Sequence, residues 1–156
     1  MRRHALIGLI AGSLGACAVA GPVLETASDD TSCRGAEAAM STLDAFMETF
    51  NSRDVAAWEG TFAFPHVRIA GGQVTVQANA GEGVERLFER LGETGWDYSA
   101  WISRDLVQCG DEKIHFATEF ARYRADGSEL ARFQSLYVMT LVDGEWRVRA
   151  RSSFAP

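Results

Sequence analysis

The side chains able to do chemistry gather in two stretches, His66-Val67-Arg68 and His115 to Arg122. Histidine titrates near neutral pH and acts as a general base or acid when a substrate proton lies within hydrogen-bond reach. Arginine holds carboxylates through a planar fork of donors. In an extended strand successive side chains point to opposite faces. His66 and Arg68 therefore share one face of their strand and Val67 and Ile69 the other, and the apolar pair is expected to face the core. In the second stretch His115, Ala117, Glu119, Ala121 and Tyr123 share one face, and Ile114, Phe116, Thr118, Phe120 and Arg122 the other. The second set is the better core candidate. It would carry Arg122 inward as a cation among apolar neighbours, to hold an anionic ligand or a carboxylate of the protein. The opposite assignment would place His115 and Glu119 inside together. His66 and Glu119 are thus the candidates for moving a proton, and His66, Arg68 and Arg122 for orienting a ligand.

Trp58, Trp101, Phe133, Tyr137 and Trp146 supply the large apolar surface that commonly lines ligand pockets and equally fills cores. Trp58, Trp101 and Tyr137 are the candidate ligand contacts among them. The three cysteines and three histidines show no zinc-type spacing. The sequence has no glycine-rich phosphate loop and no nucleophile elbow, so neither a metal nor a cofactor is expected. A net charge of −6 argues against nucleic acid as partner. Arg147, Arg149 and Arg151 alternate along an apparent strand and read as a solvated edge.

These residues must be positioned by the elements around them. From Ala36 to Phe50 the apolar residues repeat at three and four, as on an amphipathic helix. Asp54 caps a second helix carrying Val55, Trp58 and Phe62, which Pro65 ends. His66 to Ala70 and Gln73 to Val76, joined by Gly71-Gly72, form a hairpin. Asn79 with Glu82 reads as the capping box of a third helix, with Val84, Leu87, Phe88 and Leu91 on one face. After Gly95 the period falls to two. Strands are expected near Tyr98 to Cys109, Lys113 to Arg124, Ala131 to Val142 and Glu145 to Phe154. Helices first and strands after give an α+β domain.

The N-terminus carries Arg2-Arg3, an apolar run from Ala5 to Ala16, and the small-x-small site Ala18-Val19-Ala20. It reads as a signal peptide over residues 1–20, followed by a polar linker over 21–33 and the domain over 34–156. Leu14-Gly15-Ala16-Cys17 also resembles a lipobox, with Cys17 as the lipidated residue. A retained membrane anchor and a true start at Met40 are the competing readings. The export reading places the protein in the periplasm or cell envelope, with membrane contact only through a lipid on Cys17. Cys33 and Cys109 are then left either to pair or to stay as thiols.

The element order, with Asp143-Gly144-Glu145-Trp146-Arg147-Val148 as turn and last strand, resembles the nuclear transport factor 2-like superfamily over Cys33 to Pro156. The resemblance implies a curved antiparallel sheet wrapped around three helices as a cone, with an apolar pocket and often a homodimer through the sheet. The unalternated run Leu136 to Val142 is in keeping with a strand covered on both faces. The first helix offers no tyrosine, so the steroid-isomerase residues do not carry over. Arg124-Ala125-Asp126 is the only Arg-x-Asp of the strand region, and its aspartate belongs to a turn, against an epoxide-hydrolase site. The function expected is binding of a small apolar or aromatic molecule in the cone. A cofactor-free isomerase, cyclase or dehydratase and a protein-interaction domain using the sheet are the alternatives.

Overall fold

The computed structural model describes residues 33–84 and 86–156; the signal-peptide, lipobox and linker expectations lie outside these residues, apart from Cys33. Helix α1 spans Ala36–Asn51 and buries Ala39, Leu43, Phe46 and Met47, the inward stripe of its three-four repeat. Its start is pressed against the last strand. A side chain at Gly35 would run into the Trp146 ring, and Thr42 Oγ1 donates to the Trp146 carbonyl at 2.8 Å. Helix α2 spans Val55–Glu59, with Asp54 Oδ1 accepting from the Ala57 amide at 3.0 Å.

The strands are β1 (Phe62–Ala70), β2 (Gln73–Gln77), β3 (Tyr98–Cys109), β4 (Lys113–Tyr123), β5 (Glu129–Val142) and β6 (Glu145–Ser153). They form one curved sheet in the order β2-β1-β6-β5-β4-β3. Every pairing is antiparallel except β1 with β6. The sheet packs α1 and α2 against its inner face, where Leu43, Phe46, Trp58, Phe62, Ile114, Phe116, Tyr137, Met139 and Val148 make the core. Burying each large side chain of this set contributes roughly 1.5–3 kcal/mol. Cys33 and Cys109 form a disulfide, so the segment leading into α1 is tied to the end of β3.

Three local expectations are corrected. Helix α2 ends at Glu59, and Phe62 already belongs to β1, which runs through Pro65 with a cis Phe64–Pro65 bond. Helix α3 covers only Leu87–Glu93. Asn79 does pair with Glu82, but Gly81 and Gly83 adopt positive φ and turn the chain away from a helix. Finally, β1 presents His66 to the interior and leaves Ile69 exposed, the reverse of the expected faces. The face of β1 that looks into the cone is polar because it borders a cavity and not a packed core.

Candidate functional site

The cone encloses a cavity of about 510 Å³, a volume suited to a small organic ligand. One wall is aromatic. Phe46 and Phe50 of α1, Trp58 of α2 and Phe62 of β1 touch one another ring to ring, with centroids 4.8 to 6.4 Å apart. A further side is lined by the segment from Glu82 to Val84, with Leu87, Arg90, Leu91 and Thr94 of the α3 region. Glu59, buried behind this segment, holds it from below by accepting from Gln77 Nε2 and from the Gly81 amide at 2.8 Å.

The opposite wall comes from the sheet and is basic. Arg68 of β1, Arg122 of β4 and Arg151 of β6 line the cavity together with Tyr137 of β5. Arg151 lies over the rings of Phe46 and Trp58, at 5.5 Å from each centroid, and Arg122 lies 5.1 Å from the Phe133 ring. Burial lowers the pKa of both Arg68 and Arg122, and Arg151 lowers both further because the guanidiniums share one region. Tyr137 is enclosed. Burial raises its phenol pKa, against the opposing pull of Arg151, Arg68 and Arg122, and it stays protonated. Among the described residues no side-chain carboxylate lies within ion-pair distance of these three arginines. Glu82, the sole acidic lining residue among the described residues, accepts from the Ala78 and Asn79 amides and from Asn79 Nδ2, at 2.9 to 3.2 Å.

His66 completes the floor at 3% exposure. Its ring stacks on Phe62 at 4.1 Å, and Nδ1 lies 3.0 Å from the Val148 carbonyl oxygen. A carbonyl only accepts, so Nδ1 carries the proton and Nε2 keeps a lone pair. Burial, then the charge of Arg151, lower the His66 pKa to about 4, and the ring is neutral at pH 7. His66 Nε2, Trp58 Nε1, Arg122 Nε and Arg151 Nε are buried without a hydrogen-bond partner in the protein.

Of the residues singled out in the sequence, Trp58, His66, Arg68, Arg122 and Tyr137 meet at this cavity. Two others are moved out of it. Trp101 packs behind the wall, donating from Nε1 to the Leu43 carbonyl at 3.2 Å. Glu119 occupies the outer face of β4, where it pairs with Arg132 at 2.9 Å. Arg151 was hidden by strict alternation. Val138 pairs with Ala150 and Met139 with Val148, so Arg149 is an extra residue in β6. That bulge reverses the phase and brings Arg151 to the same face as Val148, while Arg149 points to the Pro65 carbonyl. No signal in the chain marks the bulge.

The family described as NTF2-like protein (DUF6841) matches residues 36–154. No curated protein matches the chain. Among solved structures, a cystatin-like-fold protein from Nostoc punctiforme aligns with TM-score 0.62 and 11% identity over 76% of this chain and 88% of its own. An NTF2-like protein from Pseudomonas putida aligns with TM-score 0.62 and 12% identity, covering 80% and 89%. A ketosteroid isomerase-like protein from Erwinia carotovora atroseptica aligns with TM-score 0.58 and 19% identity, covering 79% and 98%. At these identities the likeness is one of fold.

Proposed function

The chain belongs to this NTF2-like family, and from that premise we propose that its cone binds a small apolar or aromatic molecule. The body of the ligand lies against Phe46, Phe50, Trp58 and Phe62, and its polar end reaches Arg122 and His66. One observation carries the reading: Trp58, His66, Arg122 and Arg151 line one cavity, and each holds a buried donor or acceptor atom without a protein partner. Leaving such a group unsatisfied costs roughly 1–3 kcal/mol, and a ligand with a polar end would recover that cost. The Cys33–Cys109 disulfide supports a companion proposal, that the domain works outside the reducing cytosol, in the cell envelope.

A second reading has its own observation. His66 lines the cavity and keeps an unprotonated, unpartnered Nε2, the form a general base requires. A pKa of about 4 makes that nitrogen a weak base near neutrality, so binding takes precedence over proton transfer. The test is a native mass spectrum of the full chain produced in a bacterial envelope and gently extracted. A retained small mass that leaves on activation supports a binding cone. A spectrum with no added mass, unchanged after incubation with aromatic compounds, contradicts it.

A further inference from the structure

Resting on that reading, we infer that the polar end of the ligand is an anion, and that Arg122 and Arg151, backed by Arg68, form the seat of one carboxylate on an aromatic body. The chain as a whole is acidic, at −6, yet its cavity brings three guanidiniums together from three different strands. Like charges sharing a partly buried region raise the free energy of the empty protein. A structural arginine is ordinarily matched by a carboxylate, as Arg132 is matched here by Glu119 and Glu129. Arg68 has main-chain acceptors, Ala155 O at 3.2 Å and Pro156 O at 2.9 Å. Arg122 and Arg151 instead lie on aromatic rings with Nε unpartnered, and Arg151 hydrogen-bonds the neutral Tyr137 phenol, which brings no counter-charge. Ring stacking leaves the edge of a guanidinium open, and that edge binds a carboxylate in bidentate fashion.

The remaining groups refine the ligand. Glu82 is occupied by its own loop, so among the described residues the cavity offers no acceptor pattern suited to a cation. His66 Nε2 is the one buried unpartnered acceptor among the described atoms of the floor, and it fits a hydroxyl or N–H near the acid group. The Phe46, Phe50, Trp58 and Phe62 wall fits a flat ring system.

The test compares two probes of equal body by isothermal titration calorimetry on the full chain: naphthalene-2-carboxylate and naphthalene-2-methanol. The carboxylate is expected to bind at least about tenfold more tightly. Arg122→Gln and Arg151→Gln should each remove most of that preference, while Arg132→Gln, on the outer face, should leave it intact. A measurement on the unaltered chain guards against misfolded variants. Raising NaCl from about 20 mM to about 500 mM should weaken the carboxylate and leave the alcohol unchanged. Equal binding of the two probes, or a preference insensitive to both salt and the arginine substitutions, overturns the anion seat while the binding cone stands. Failure of both probes to bind overturns the two together.

Discussion

His66 donates from Nδ1 to the carbonyl oxygen of Val148 across the β1–β6 junction, at 3.0 Å, and this bond fixes which ring nitrogen carries the proton. It joins the parallel β1–β6 pair of the sheet to the chemistry of the floor. The first prediction follows from the neutrality of that ring. The unfolded chain takes up the proton near pH 6.5 and the folded one only near 4, so the unfolded state binds more protons between those values. Stability should be complete above about pH 6.5 and decline as pH falls toward 4, by up to about 3 kcal/mol. Thermal unfolding of the parent and of His66→Asn checks this. The substitution should flatten the slope between pH 6.5 and 4.5, and an unchanged slope would assign the effect to other groups.

Arg151 is the largest electrostatic cause of that depression, after burial itself, with Arg149 and Arg68 adding to it. Arg151→Met keeps an apolar stem against Phe46 and Trp58 and removes the charge. The His66 pKa should then rise part of the way toward 6.5, as followed by the ring proton shifts in NMR. Because a like-charge cluster is relieved, the unliganded variant should be no less stable than the parent by more than about 1 kcal/mol. A large loss of stability would show that Arg151 is a structural residue.

The disulfide closes a loop with a sequence separation of 76 residues. Removing it through Cys33→Ser with Cys109→Ser frees the unfolded chain more than the folded one, and a loss of about 2–4 kcal/mol is expected. Denaturant unfolding of the variant should match that of the reduced parent, and both should fall below the parent without reductant by this amount.

Gly35 tests the seam between α1 and β6. A methyl group there would overlap the Trp146 ring. Gly35→Ala should cost about 1–3 kcal/mol and alter the near-UV signal of the tryptophans, whereas Gly127→Ser, at an open turn, should leave that signal unchanged.

The sequence made the architecture legible because its signals are periodic. The three-four repeat of Leu43, Phe46 and Met47 located α1, and the two-residue period of Ile114, Phe116, Thr118 and Phe120 located the inner face of β4. Arg122 was placed inward by that same alternation. What stayed hidden depends on interruptions of period. The extra residue at Arg149 shifted Arg151 by one step, and the glycines at 81 and 83 replaced a helical turn with the segment that borders the cavity. For His66 and Arg68 the rule that apolar faces point inward failed, since the interior they meet is a cavity. The pairing of Cys33 with Cys109 needed spatial proximity, which spacing does not supply.

The most direct test of a ligand-binding cone is the indole resonance of Trp58, whose Nε1 is buried and unpartnered in the protein. Trp96 and Trp101 provide internal references, since their Nε1 groups donate to Ser99 Oγ at 2.9 Å and to the Leu43 carbonyl at 3.2 Å. Titrating naphthalene-2-carboxylate into labelled full chain should shift the Trp58 indole signal saturably, together with the His66 ring, and displace the Trp96 and Trp101 indoles far less. Perturbations confined to the outer sheet face, at Gln134, Leu136 and Phe154, with Trp58 unmoved would contradict the account and make that face the binding surface.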